Sequence, residues 1–373
     1  MNEIVVDAEI VDSSEFEVDA SAVADGHKAQ ERIAALIARG TASAGMVVNK
    51  ILSEQPEDMV VKAKAITFAP DFPVNFSIPN GPSPYTLHRH ALTQAADIAG
   101  MPMSFVDKLT SINDPELLAH NFNRLFGRLD SRHLVRSVEH HTRAIVSDKF
   151  RRIDSRPTVE KLLGAFMEVG LQPYEGRFLE TKVEIQAIVP KLYSPFPGEL
   201  CAFGLSYRNS DYGDGSFQIR AFILRPACAN GLVVENVLRE VHIGKRLSDD
   251  IQYADETYIA DSNAMALAAR DSVRNALSPE KIDTQLRRLK AAHETKVDPN
   301  KAPDALRRRG LSKTESESVM GHFNSPDVVS LPPNPSVLRM SNAVSWLANK
   351  TNDQRRKQEL QDIAGNWLAS AAS

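Results

Sequence analysis

Two alternating runs around one turn constrain the fold more than any other feature of the chain. "CAFGLSYRN" (201–209) and "SFQIRAFIL" (216–224) read as β-strands, and "NSDYGDG" between them is dense in residues that turn a backbone. Two strands joined by so short a turn pair antiparallel, so the middle of the chain must contain an antiparallel sheet. Alternation also sorts the side chains. Cys201, Phe203, Leu205 and Tyr207 share one face, which reads as core. Ala202, Gly204, Ser206 and Arg208 share the other, which is small enough for another backbone to lie close against it. Tyr207 and Tyr212 are candidates for stacking on bases, with core packing as the alternative.

Around this hairpin the periodicity is helical at both ends, so the expected class is α+β: a central antiparallel sheet flanked by N-terminal and C-terminal helices. Residues 29–45 form a short helix closed by glycine, and the Pro-rich stretch 66–85 forms an extended arm. Helices follow over 85–100, 102–109 and 114–126, the last capped by Asp114. Residues 133–155 read as strand, turn and strand. Pro157 opens a helix that Gly170 ends, and 178–189 is strand-like. Helices are expected at 255–277 and 279–294. The domain reading is an acidic disordered tail (1–28), an α+β core (29–293), a basic, Pro-rich linker with one short helix (294–336), and a C-terminal helical pair packed on the core (337–373).

The net charge of −4 conceals an asymmetry: residues 1–25 hold eight acids and no Lys or Arg, which leaves the remainder at +4. Such a tail is a solubility device or a polyanion mimic that competes for a basic groove. No apolar run is long enough for a membrane span and no leader pattern is present, so a cytosolic protein without membrane contact is expected. With only Cys201 and Cys228, an all-cysteine zinc site is excluded.

Enzyme signatures are sparse. "HIGKR" has Arg246 where a phosphate-binding loop needs Ser or Thr, and no nucleophile elbow or dinucleotide fingerprint occurs. His88, His90, His140 and His141 lack metal-ligand spacing and read as surface histidines. Glu180 and Lys182 fit half of a magnesium-nuclease motif, against the commoner reading of a cross-strand charge pair. Asp211 and Asp214 fit a hard cation or, more simply, a turn. The expectation is therefore no cofactor, no metal and no catalytic residues.

Basic residues are the stronger signal. Arg124, Arg128, Arg132, Arg136, Arg143, Lys149, Arg151, Arg152 and Arg156 occupy one short span, and the arginine bias suits a polyanion. A solvated face with local ion pairs is the alternative. Arg208, Arg220 and Arg225 continue the theme on the hairpin, as do Lys245 and Arg246 beyond it. A second cluster runs from Lys281 to Lys313. In "RPACANGLVV" (225–234), Cys228 reads as a buried thiol, and Asn230-Gly231 as a corner with positive φ whose amides can receive a phosphate.

"CANGLVV" after a strand, "AIVSDKFRRID" before a helix and "SNAVSWLANKTNDQRRKQELQDIAGNWL" at the end stand in order along the chain. In these it resembles a phage- and plasmid-encoded family of unknown function, over roughly residues 85–370. Ser147, Asp148, Lys149 and Phe150 match its strand motif, with Phe150 in place of the commoner Tyr. Cys228, Asn230, Gly231 and Leu232 match its corner. The resemblance implies mobile-element biology in a bacterial host. At the level of architecture the chain is also similar to single-strand annealing proteins such as Redβ and RecT. Together these give the expectation of a single-stranded DNA-binding homo-oligomer that anneals or protects strands during recombination or replication. A magnesium nuclease and a scaffold or DNA-mimic inhibitor are the alternatives.

Overall fold

The computed structural model describes residues 20–54, 56–79, 81, 84–179, 181–226, 230–242, 253–325, 331–332 and 334–371. It opens with one long helix, α1 (Ala20–Ser53), which takes in residues 20–28 of the expected tail and does not stop at Gly45. Residues 1–19 lie outside the described residues. The glycine of α1 that has a structural task is Gly40: a Cβ there would sit 1.4 Å from the carbonyl oxygen of Tyr174. It permits backbone contact between a helix and a strand, and the sequence pattern alone reads it as punctuation.

Strand β1 (Glu57–Lys62) comes first, and the Pro-rich stretch after it forms β2 (Thr67–Phe68), β3 (Asn75–Ser77) and the start of β4 (Tyr85–Leu87) rather than a free arm. Helix α2 (Arg89–Ala99) therefore begins four residues later than expected, and Gly100 closes it at φ 68°. Next come α3 (Met103–Ser111) and α4 (Pro115–Phe126), where the Asp114 carboxylate accepts the Leu117 N–H at 3.0 Å. The expected strand–turn–strand is β5 (Arg132–Val138) and β6 (His141–Ser147), turned by Glu139 and His140 at φ 50° and 66°. These strands form a first sheet, ordered β1-β5-β6-β4-β3-β2, and only β4–β6 among them is parallel. Helices α2 to α4 cover one face over Phe68, whose ring stacks on Phe122 at 4.5 Å.

Helix α5 (Ser155–Glu168) leads into a second sheet: β7 (Gln172–Phe178), β8 (Val183–Ile188), β9 (Tyr193–Phe196), β10 (Glu199–Asn209), β11 (Phe217–Arg225) and β12 (Asn230–Glu240). Its order is β12-β11-β10-β8-β7, with β9 attached to β10. The run 178–189 is thus the end of one strand and the whole of the next. The hairpin β10–β11 is present as expected, with Gly213 and Gly215 at positive φ in its turn. Cys201, Phe203, Leu205 and Tyr207 are all buried. They pack against α5, α6 (Asp255–Ala276) and α7 (Pro279–Glu294). On the opposite face Gly204 is crowded by the ring of Phe222, 2.4 Å from where a Cβ would stand. The small residue makes room for a neighbour in the same sheet, not for a separate backbone.

The segment read as a linker holds two helices, α8 (Ala302–Arg308) and α9 (Lys313–Asn324), the second started by a Ser312/Glu315 capping box. Leu306, Val319 and Phe323 join Met340 and Trp367, from α10 (Val337–Lys350) and α11 (Gln354–Ala369), in one buried cluster. Each short helix contributes few apolar residues, so its outward polar face dominates the composition and hides it. Helices α10 and α11 pack on β12. The class is α+β, built on two sheets instead of one central sheet. Among the described residues no helix is long and apolar enough to cross a membrane.

Candidate nucleic-acid interface

The arginine-rich span does not form a basic face. Arg136 is 1% exposed, with Nε donating to Asp58 at 2.7 Å, Nη2 to Asp154 at 2.9 Å and Nη1 to the Asp211 carbonyl at 2.6 Å. It ties β1 to both the entry of α5 and the turn of the β10–β11 hairpin. Arg143 forms a fork with Glu54, and Arg151 a fork with Asp261, reinforced by Glu240. Arg152 lies between Asp58 and Asp255, with its guanidinium 4.2 Å from the Tyr258 ring. Arg132 faces Asp148, and Arg156 pairs with Glu160. Arg124 and Arg128 are exposed on and just past α4, and Lys149 is half-buried. Asp148, Asp154 and Glu160 are local partners, but Glu54, Asp58, Glu240, Asp255 and Asp261 come from distant positions, which a local count of charges does not see.

The other expected contacts separate in the same way. Arg220 and Arg225 are an odd number of residues apart on β11, so they point to opposite faces. Arg225 is buried in an ion pair with Glu199 and also donates to the Asn342 side chain of α10. That contact joins the strand before the corner motif to the N-A-V helix. The third motif is interior too: Phe150 is buried, stacked 4.9 Å from His242, with Arg136 5.8 Å from its ring. Cys228, Lys245, Arg246 and Glu180 lie outside the described residues. Asn230 and Gly231 do not form the corner itself. They are the first residues of β12, in register with Arg225 and Leu224. Tyr207 and Tyr212 are both buried, which removes them as exposed stacking platforms. The Lys281–Lys313 cluster is largely tied up locally, as in Arg287–Asp283 and Arg307–Asp304.

A different face gathers cations. Strand register places Arg177 (β7) opposite Glu184 (β8), Glu184 opposite Arg208 (β10), Arg208 opposite Gln218 (β11) and Gln218 opposite Arg239 (β12). Residues directly opposite in a sheet share a face, so this is one polar row across five strands. The next row on that face reads Glu175, Gln186, Ser206 and Arg220. A cleft of about 460 Å³ lies over the first row, bounded by Lys182, Asp214 and Gln358 of α11. Lys182 pairs with Asp214 at 3.0 Å, and Arg220 with Asp362 of α11.

The charge state of these groups reports a positive field. Glu184 is buried, which by itself would favour the neutral acid. The Arg208 guanidinium, 2.7 Å away, nevertheless holds its carboxyl below the usual carboxylate range. Burial lowers the pKa of Arg220 to about 10, helped by repulsion from Arg208 and Arg239. Burial also lowers Lys357 of α11, with Arg177 and Arg208 adding to the effect. Arg208 has its Nε and Nη1 buried without a hydrogen-bond acceptor, and Arg239 has no ion-pair partner among the described residues. Arg220 and Lys357 are thus held down by burial and by neighbouring arginines, whereas Glu175 and Glu184 hold Arg177 above its ordinary value.

Of the row, only Arg208 was legible in the sequence as a binding residue, with Arg220 behind it. Arg177, Arg239 and Lys357 were missed because two strands and a C-terminal helix bring them together across 181 positions of chain. Comparison with protein-family models, curated proteins and solved structures returned no match.

Proposed function

We propose that the chain binds single-stranded DNA through the cleft on the second sheet, and acts by annealing or protecting strands without covalent chemistry. The observation that carries the reading is the polar row of Arg177, Glu184, Arg208, Gln218 and Arg239. Exposed Arg239 offers a planar fork for phosphate oxygens, and the buried guanidinium of Arg208 adds its charge beneath the cleft. The arginine-rich span supports the fold instead, as the ties of Arg136, Arg143 and Arg151 require.

The test is a salt titration of oligonucleotide affinity. Each phosphate contact on a single strand contributes a slope of about −0.7 in log K against log salt. The double variant R208Q/R239Q should lower the slope by about 1.4 and weaken all sequences alike. R124Q/R128Q, on exposed α4-side arginines, should leave the slope unchanged. A salt-independent affinity in the wild type, or no binding, refutes the reading.

A further inference from the structure

We infer that the cleft is built for the terminal phosphomonoester of a strand, as its dianion, in preference to an internal phosphodiester. The inference rests on the single-strand-binding reading above and narrows it to strand ends.

Charge balance is the first argument. The two polar rows, taken with Lys182 and Asp214 at the cleft edge and Lys357 and Asp362 on α11, carry six cations: Arg177, Lys182, Arg208, Arg220, Arg239 and Lys357. Four carboxylates oppose them: Glu175, Glu184, Asp214 and Asp362. The excess is two positive charges. A phosphodiester carries one negative charge and leaves half of that excess uncompensated beside buried groups. A phosphomonoester carries about −1.5 to −2 near pH 7.

Donor count is the second. Exposed Arg239 lines the cleft with a fork that has no ion-pair partner among the described residues, Arg208 and Lys182 line it too, and Lys357, next to the cleft-lining Gln358 on α11, is a cation disfavoured first by burial and then by Arg177 and Arg208. A monoester presents three acceptor oxygens at one end, whereas a diester within a strand has two and a chain leaving on both sides. Size is the third. A volume of about 460 Å³ is that of a small-ligand site, which takes one unit and not a length of strand.

The experiment uses the full chain and one short oligonucleotide prepared with a 5′-phosphate, with a 3′-phosphate, or with hydroxyls at both ends. Affinities are measured by fluorescence anisotropy at pH 7.5 and pH 5. The expected result is about ten- to hundredfold tighter binding of one phosphorylated form at pH 7.5, the range for charge-assisted hydrogen bonds. The two phosphorylated arms identify which end is read. The advantage should shrink at pH 5, because the second pKa of a phosphomonoester is about 6. R239Q, an exposed position whose loss leaves no buried acid unpaired, should reduce the advantage about tenfold. Equal affinity of all three oligonucleotides overturns the end-binding inference and leaves strand binding standing. Failure of all three to bind overturns both.

Discussion

Replacing Arg136 with Met is the sharpest test of how this chain uses its arginines. The guanidinium is buried and reaches two carboxylates and one carbonyl, from parts of the chain as far apart as Asp58 and Asp211. Burial alone would lower its pKa. The carboxylates of Asp154, Asp58 and Asp211 outweigh that and hold it above the ordinary range, so it is charged at every working pH. Met keeps most of the side-chain volume and removes the charge. Asp58 and Asp154 keep some solvent contact, at 17% and 29% exposure, and Asp211 is half-buried. Breaking a buried pair from one side costs about 3–5 kcal/mol, and the solvated pair of acids places R136M toward the lower end. Urea unfolding at pH 8 should therefore show a midpoint lower by an amount equal to about 3 kcal/mol. The loss should be smaller at pH 5.5, where Asp211, raised to about 7 by burial, is protonated and one charge fewer is left without Arg136. If R136M unfolds at the wild-type midpoint yet binds oligonucleotide poorly, Arg136 serves the ligand and the structural argument is wrong.

Burial, reinforced by Asp154, raises the Asp211 pKa from 3.8 to about 7 despite the opposing Arg136. Between those values the folded state binds more protons than the unfolded one, so stability should rise as pH falls from 7 toward 4 and be lowest above 7. D211N keeps an oxygen to accept from Ser155 and Asn209, and should flatten this dependence in thermal melts from pH 5 to 8. A wild-type slope retained in D211N would locate the titration elsewhere. G40A should loosen α1 from β7, since its methyl meets the Tyr174 carbonyl, and cost about 1–3 kcal/mol in chemical denaturation. An unchanged midpoint would mean that contact is not made. Burial pushes the Cys201 thiol up, so a colourless thiol reagent should leave it unmodified until the protein unfolds. Rapid native labelling at Cys201 would show that the second sheet opens.

The sequence by itself determined the local choices. The hairpin of 201–224, its inward face, the caps at Asp114 and Gly100 and the strand–turn–strand before α5 all appear where the residues put them. Each depends on a few neighbouring residues: a period of two, a side-chain acceptor at a helix start, a glycine that tolerates positive φ. Only the tertiary structure decided what the charges do. Nine basic residues in one span looked like a grip because Arg136, Arg143, Arg151 and Arg152 find counterions elsewhere in the chain: Asp58 and Glu54 before them, Asp255 and Asp261 long after. The row that gathers Arg177, Arg208 and Arg239 is invisible for the same reason. Strand register sets it, and register follows from how each strand buries its apolar side, not from any property of the arginines themselves. An ion pair acts through space, so its partners carry no signature of spacing along the chain, whereas a turn or a cap does.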